Sequence, residues 1–216
     1  MSEQAHLVLA DGTAFEGVSF GARGVTTGEA VFTTTMTGYQ EVLTDPSYTG
    51  QIVVMTAAEI GNTGVNSEDV EAVDGKPRVA GFVVRDASPI ASSWRSESTL
   101  GAWLEKNGIV SIADIDTRRL TRHLRDHGSQ NAAIGTESVH TLHDRAKNAP
   151  DMNGLDLVQT VTPKQNYAWS EGRGVWRTSS LGGPPKPAEH HVVVLDFGIK
   201  RNILRCLVDA GCRVTG

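Results

Sequence analysis

Short runs of apolar and β-branched residues, separated by turn-forming residues, dominate the first half of the chain and predict β-strands. HLVL and AFEG flank Asp11-Gly12, and this pair predicts a hairpin because both residues tolerate positive φ. AVFTTT and QIVVMT predict two further strands, and the nearly continuous apolar run VAGFVV predicts a buried one. The polar residues 85–98, with Pro89 and five serines, predict a long ordered loop.

Helical periodicity begins after this loop. A helix is predicted over residues 99–106, and Asn107-Gly108 ends it. GIVSIA and AAIGT predict two more strands, and the segment HTLHDRAKNAP predicts a helix that Pro150 ends. One face of that helix carries Val139, Leu142, His143 and Ala146.

The helix predicted between the strands GIVSIA and AAIGT is rich in arginine. Asp116 is a suitable N-cap, Gly128 suits the C-terminal end, and Leu120 and Leu124 lie one turn apart on the predicted inward face. The exposed sides carry Arg118, Arg119, Arg122 and Arg125.

These arginines raise the question of nucleic-acid binding. A recognition helix needs a preceding helix joined by a short turn, whereas the strand-like GIVSIA comes before this one. The whole chain also carries a net charge of −5, while nucleic-acid binders usually present a positive field. We therefore expect no nucleic-acid partner, and a protein interface or a solvated face fits the guanidinium groups better.

The residues after 150 have a weaker pattern. DLVQTVT and the aromatic residues Tyr167, Trp169 and Trp176 predict extended structure packed on a domain surface. Residues 178–191 are rich in Pro and Gly and predict a linker, which includes His190 and His191 at its end.

After this linker the pattern becomes that of a parallel α/β sheet. A strand is predicted over residues 192–197 and a helix over about 200–210, with Gly211 as its cap. One strand and one helix cannot bury their own apolar faces, so we expect the chain to be cut short within a larger α/β domain. The helical residues predicted to face the sheet are Ile199, Ile203, Cys206, Leu207 and Ala210, which makes Cys206 a predicted core residue.

The most distinctive polar stretch is MTGYQEVLTDPSYTGQIV, residues 36–53. Asp45-Pro46-Ser47 predicts a tight turn, because proline presets φ while Asp and Ser bond to nearby backbone groups. Such a turn would present Ser47 and Tyr48 between two ordered elements, where a small polar ligand could bind. On the residues alone, a surface turn whose hydroxyls serve only the backbone is the commoner outcome.

The composition and the cysteine and histidine spacing limit the cell compartment and the kinds of site that we expect for this chain. No apolar run approaches the roughly 20 residues that span a bilayer, and the N-terminal residues have no signal-peptide pattern. Cys206 and Cys212 do not form a disulfide framework, which favours a reducing cytoplasm, and Cys212 has no base near it in the sequence. His140 and His143 have a possible ligand spacing but no third ligand nearby, so we expect no metal site.

Several long motifs, in this order and spacing, make the chain resemble the small, glutamine-hydrolysing subunit of carbamoyl-phosphate synthase. They are MTGYQEVLTDPSYTGQIV, IGNTGVN, VRDASPIASSWRSE, IDTRRLTRHLRDHG and VVVLDFGIKRNILRCLVDAGC. The resemblance implies an α/β fold class with a swivelling β/β/α N-terminal domain over residues 1–150. It further implies an extended segment and linker over 151–191, and over 192–216 the first β-α unit of a doubly wound, class I glutamine amidotransferase domain.

The resemblance also implies a reaction. A cysteine on a strand-to-helix elbow, assisted by a histidine and a glutamate, attacks the side-chain amide of L-glutamine and releases ammonia. The large subunit then uses bicarbonate and two ATP, with Mg, to make carbamoyl phosphate for arginine and pyrimidine synthesis. Of the residues present here, Ser47 matches a glutamine-binding residue of the family. Neither cysteine has the elbow context, so we expect no catalytic residue, metal or cofactor site in this chain.

Two hypotheses of different class follow from the resemblance. In the first, the chain is part of the cytoplasmic enzyme subunit and is inactive alone, with L-glutamine and the large subunit as its partners. In the second, it is a non-catalytic docking module that engages the large subunit without hydrolysing glutamine.

Overall fold

The computed structural model describes residues 3–176 and 187–216, and these residues form two compact units. Unit 1 contains the described residues up to Val70 together with Pro77–Leu155. Unit 2 contains Glu71–Lys76 and the described residues from Asp156 onward. Most of the predicted linker at 178–191 lies outside the described residues. The mixture of strands and helices confirms the α/β class.

Of the strands that the structure describes in unit 1, seven match the predicted apolar runs, while Glu59–Ile60 and Asp86–Ala87 were not predicted and the second lies within the loop predicted over 85–98. Asp11 and Gly12 form the turn of an antiparallel hairpin as predicted, and the register pairs Leu7 with Phe15. In chain order the strands are β1 (Gln4–Leu9), β2 (Ala14–Gly21), β3 (Thr26–Thr33), β4 (Gln51–Met55), β5 (Glu59–Ile60), β6 (Gly81–Val83), β7 (Asp86–Ala87), β8 (Val110–Ala113) and β9 (Gln130–Gly135).

Most of these strands close into a barrel in the order β1-β2-β8-β6-β4-β3-β9. The neighbours β3, β4, β6 and β8 are parallel, and the remaining pairs of the barrel are antiparallel. Strands β5 and β7 form a separate parallel pair. Inward-facing side chains such as Leu7, Ile52 and Ile112 are fully buried and fill the barrel.

Parallel neighbours need long crossover connections, because the chain must return to the same end of the sheet. Here the first crossover is residues 34–50, the second is 56–80 and the third is 84–109. Their apolar side chains, among them Leu43, Ile60 and Leu100, pack with Val53 and Phe82 in a second core outside the barrel. The parts of the crossovers that belong to unit 1, which exclude Glu71–Lys76, therefore form a layer over the parallel strands.

Three helices of unit 1 begin at polar caps, close to where the sequence predicts helices, whereas the first, at Tyr39–Thr44, was not predicted and has Gly38 before it without a side-chain cap. Thr99 and Asp116 accept hydrogen bonds from the backbone N–H groups of Ala102 and Arg119, and Ser138 caps the last helix in the same way. These helices are α1 (Tyr39–Thr44), α2 (Leu100–Lys106), α3 (Thr117–His127) and α4 (Val139–Asn148).

Helix α3 confirms the predicted division between apolar and arginine faces. Leu120 and Leu124 belong to the barrel core, and the four arginines are exposed. Arg119 lies over the ring of Phe15, with its guanidinium carbon 4.2 Å from the ring centroid, and donates to the carbonyl of Ala14. On α4, Leu142 and Ala146 are fully buried, while Val139 in the first turn is exposed.

Unit 2 contains α5 (Val158–Val161), β10 (Ala168–Trp169), β11 (His190–Val193), α6 (Arg201–Asp209) and β12 (Cys212–Thr215). The strand order is β10-β12-β11, and β11 and β12 are parallel with α6 between them. This is the β-α arrangement that the sequence pattern predicts.

Several predictions for unit 2 are wrong. The extended structure predicted around DLVQTVT is helical at α5, and Gly174–Trp176 forms a 3-10 turn, so only β10 is extended. His190 and His191 start strand β11 and do not belong to a linker.

The predicted strand over 192–197 ends early because the side chain of Asp196 forms a local turn. Asp196 accepts hydrogen bonds from the N–H groups of Gly198 and Ile199, both at 2.8 Å, and from the hydroxyl of Tyr167 at 2.6 Å. These bonds replace the ladder hydrogen bonds of a longer strand.

The predicted buried face of α6 is also wrong. Cys206 is exposed, whereas Leu204 and Asp209 are the buried residues of this helix. The reason is electrostatic, because Arg173 donates to Asp209 at 2.7 Å and the arginines of α6 bond to Glu171. These partners turn a charged stripe of the helix inward and leave Cys206 outside.

None of the helices in the described parts of the chain combines the length and the apolar character needed to cross a bilayer.

The hairpin turn at Asp11 is held by α3 and β9. The carboxylate of Asp11 accepts hydrogen bonds from Thr13 N at 2.8 Å and Gln130 Nε2 at 3.0 Å, and lies 2.6 Å from His123 Nε2. Burial alone would raise the pKa of Asp11, but these hydrogen bonds outweigh burial and hold the pKa far below its ordinary value.

We predict that Asp11 stabilises the fold in a pH-dependent way. Its folded-state pKa is lowered, so its stabilisation is fully present above the unfolded-state pKa, about 3.9, and is lost as the pH falls below that value. The difference in melting temperature between wild type and Asp11→Asn should therefore shrink steadily from about pH 5 to about pH 2. Asp144→Asn, at an exposed position, is the control and should change the melting temperature little at any of these pH values. A difference in melting temperature between wild type and Asp11→Asn that does not change with pH would contradict the prediction.

Candidate functional site

Ser47 lies on a rigid turn, as the sequence predicts. Pro46–Tyr48 form a 3-10 turn, and the buried Asp45 carboxylate accepts a hydrogen bond from Ser47 N at 2.9 Å. Thr49 Oγ1 donates to the carbonyl of Pro46 at 2.7 Å. The side chain of Ser47 itself is exposed. The turn is therefore fixed by its neighbours, which leaves the Ser47 hydroxyl available to a ligand.

Helix α1, just before this turn, holds the second crossover in place. Gln40 Oε1 accepts from the backbone N–H of Asn66 at 2.9 Å, and Gln40 Nε2 donates to the carbonyl of the same residue. Tyr39 Oη donates to the carbonyl of Gly64, and its burial raises the pKa of the phenol. Nearly all of Tyr39 and Gln40 is buried, so α1 and residues 61–69 form one structure.

An ion-paired arginine then joins the second crossover to the third. Arg95 Nη1 and Nη2 donate to the two carboxylate oxygens of Asp69 at 2.9 and 2.6 Å, and Nη2 also donates to Glu68 at 2.8 Å. These hydrogen bonds, those to Asp69 above all, raise the pKa of Arg95. Backbone bonds from Val65 N to Ser98 O and from Glu97 N to Val65 O complete the join.

A shallow polar hollow opens where α1 meets the second crossover. It is lined by residues 38–41 and by Thr63, Gly64 and Asp69. Ser47 is not among the residues that line it. The structure therefore places Ser47, the predicted glutamine-binding residue, on an exposed part of the first crossover outside this hollow.

The cysteines and histidines are dispersed. Cys206 is exposed on α6 and Cys212 is partly buried at the start of β12, and neither makes a hydrogen bond to a histidine in the described ranges. His140 lies 3.4 Å from Asp144, and His143 Nε2 lies 3.2 Å from the carbonyl oxygen of Ala10. Among the residues that the structure describes, no cluster with three or more metal-ligating side chains is found.

We predict that the contact between the second and third crossovers depends on Gly64. Its φ is +68°, and a Cβ at this position would lie 2.8 Å from the carbonyl oxygen of Ser98 and overlap Ser96. Gly108 has a similar φ of +71° with open space around it, so Gly108→Ala should cost only the left-handed penalty of about 1–2 kcal/mol. Gly64→Ala should reduce the free energy of unfolding by roughly 2 kcal/mol more, measured by urea denaturation. Equal losses for the two variants would show that the close approach is unimportant.

The sequence comparisons identify the family. The model of the carbamoyl-phosphate synthase small chain, CPSase domain, matches residues 7–134. The chain is 51% identical to the carbamoyl phosphate synthase small chain of Syntrophotalea carbinolica, over 98% of this chain and 56% of the relative. It is 52% identical to that of Vibrio cholerae, over 100% of this chain and 57% of the relative. The chain thus spans little more than half the length of these relatives. It belongs to the carbamoyl-phosphate synthase small chain family.

Proposed function

We propose that this chain is the part of a carbamoyl-phosphate synthase small subunit that docks on the large subunit and lends Ser47 to the L-glutamine site. The complete subunit would supply ammonia from L-glutamine to the large subunit. There bicarbonate, ATP and Mg would be used to make carbamoyl phosphate for arginine and pyrimidine synthesis in the cytoplasm. The chain itself would bind no cofactor.

The observation that carries this proposal is the geometry of the Ser47 turn in a chain of this family. The Asp45 carboxylate accepts a hydrogen bond from the backbone N–H of Ser47, and Pro46 is buried. The turn therefore does not depend on the Ser47 hydroxyl. A fixed and exposed hydroxyl suits the polar groups of an amino acid, because it can both donate and accept hydrogen bonds. Ser47 would hold glutamine in place without reacting.

The two units would have the roles that the family resemblance implies. Unit 1 would be the swivelling β/β/α domain, and β11, α6 and β12 would begin the doubly wound glutaminase sheet. Exposed apolar side chains on this part of unit 2, among them Val193, Phe197 and Ile203, support this assignment. Further strands and helices cover such surfaces in α/β domains.

The 216 residues alone would not hydrolyse glutamine. An activated cysteine needs a base or positive charge beside it and a position that a substrate can reach. Cys206 is in the body of α6 and Cys212 is in a strand of the sheet, so neither occupies a strand-to-helix elbow. This observation favours a second candidate for the isolated chain, a docking module that engages the large subunit without cleaving glutamine.

We predict that Ser47 contributes to glutamine affinity and not to ammonia use. The test uses a chimera in which these 216 residues replace the matching 57% of the Vibrio cholerae relative, assembled with its large chain. Ser47→Ala should raise the KM for glutamine about tenfold or more, because a hydrogen bond to a charged group of the substrate is lost. Carbamoyl phosphate synthesis from added ammonia should be unchanged.

Ser47→Thr is the matched control, since it keeps the hydroxyl and should remain within a few-fold of wild type. If Ser47→Ala leaves the KM for glutamine unchanged in an active chimera, Ser47 does not bind glutamine. A chimera that folds and assembles but hydrolyses no glutamine would instead count against the proposed function of the whole chain.

A further inference from the structure

We propose that Trp94 is the anchor of a protein-docking surface on unit 1, and that it fits an apolar pocket with a basic rim on the large subunit. The identity of the partner rests on the function proposed above. The observations that carry the inference are the exposure of Trp94, the rigidity of its loop and the charges around it.

Trp94 is 87% exposed, in the loop of residues 88–98, which we call the Trp94 loop. Ile90 in the same loop is 69% exposed. A tryptophan side chain carries a large apolar area. While that area is exposed to water, it does not contribute burial energy to the stability of the fold. Single exposed apolar residues are common on surfaces, so exposure alone does not identify a binding site.

The second observation is that the Trp94 loop is fixed on both sides of the tryptophan. Before it, Ser92 N donates to Asn62 O at 2.9 Å. After it, Arg95 is only 19% exposed and is held by Asp69 and Glu68. The conformational entropy of the loop has therefore already been lost in the free protein.

The end of the loop is anchored equally well. The carboxylate of Glu97 accepts from Ser67 N at 3.0 Å and from Ser67 Oγ at 2.7 Å. Glu97 N donates to Val65 O at 2.8 Å, and Val65 N donates to Ser98 O at 3.0 Å. Tryptophan is enriched among interface hot spots, and a rigid loop needs little further ordering when a partner binds.

The architecture of unit 1 indicates a separate partner. The sheet of unit 1 is a closed barrel, so no free edge of that barrel remains to which further strands could add. In unit 2, by contrast, β11 is the edge of an open sheet, which more strands could extend. Extension of the barrel sheet therefore cannot cover Trp94, and a second protein is the occupant that fits.

The charges around Trp94 indicate what kind of protein this is. Glu68 and Asp69 lie beside the Trp94 loop, Glu97 lies within it, and the guanidinium of Arg95 is the positive group among them. The surroundings are therefore net negative, which disfavours a symmetric contact between two copies of this surface. A pocket with basic side chains at its rim is complementary to them.

The test measures association of the chimera described above, which supplies the rest of the subunit, with the Vibrio cholerae large chain by biolayer interferometry. Trp94→Ala should raise Kd at least about 30-fold, the loss typical of a central hot-spot tryptophan. Trp94→Phe keeps an apolar ring and should stay within about fivefold. Trp176→Ala removes an exposed tryptophan from unit 2 and should leave Kd unchanged.

Two further readouts make the test specific. Binding of the large chain should shift the tryptophan emission of wild type to shorter wavelength and reduce acrylamide quenching, and both changes should be absent in Trp94→Phe. The association rate should fall as NaCl rises from about 50 to about 300 mM, because the acidic surroundings of Trp94 meet a basic rim. Unchanged circular dichroism and thermal melting will show that the variants fold.

The outcomes separate the inference from the proposed function. If wild type binds the large chain and Trp94→Ala binds equally well, the docking inference is wrong while the proposed function stands. If wild type does not bind the large chain, both are wrong. Self-association that depends on Trp94, measured by analytical ultracentrifugation, would show that the large subunit is the wrong partner. An association rate that does not change with salt would show that the pocket has no basic rim.

Discussion

The parallel pairing of β3, β4, β6 and β8 is the constraint on which the rest of unit 1 depends. Each parallel pair obliges the chain to cross from one end of the barrel to the other, and the crossing segments must bury their apolar side chains on the way. Leu43, Ile60 and Leu100 do so against the outside of the barrel. The functional candidates therefore lie on crossovers, with Ser47 on the first and Trp94 on the third.

Polar side chains join these crossovers into one layer. Gln40 in the first crossover binds both backbone groups of Asn66 in the second. Asp69 in the second binds Arg95 in the third through both carboxylate oxygens. Since buried or partly buried hydrogen bonds to charged groups are the stronger ones, this chain of contacts should hold the exposed Ser47 and Trp94 in fixed orientations.

Features of the fold with local causes could be predicted from the sequence. The hairpin at Asp11-Gly12, the cap at Asp116 and the inward face of Leu120 and Leu124 all depend on neighbouring residues, and the structure confirms them. Helix α1 was not predicted, because its six residues are too few to show a helical period. The strand order was not predicted either, since pairs such as β2 with β8 join segments far apart in the chain.

The wrong prediction for the buried face of α6 also comes from contacts between segments far apart in the chain, whereas the early end of the strand predicted over 192–197 comes from the local turn at Asp196. The inward face of α6 is decided by Glu171 and Arg173, which lie some thirty residues before the helix and cannot be found from its own periodicity. For the candidate site, the rigid turn could be predicted from Asp45 and Pro46, but a glutamine-binding role for Ser47 came from the family resemblance alone. The exposure of Trp94 needed the structure, since tryptophan is highly buried on average in folded proteins.

The central claim is that the three crossovers form one rigid layer, and amide hydrogen exchange followed by NMR tests it most directly. The amides of Val65, Asn66 and Glu97 each donate a hydrogen bond between crossovers. The account predicts that they exchange through the same cooperative opening as the amides of the barrel strands, with comparable protection. Exchange of these amides at the rate of an unstructured chain, while the barrel amides stay protected, would contradict it.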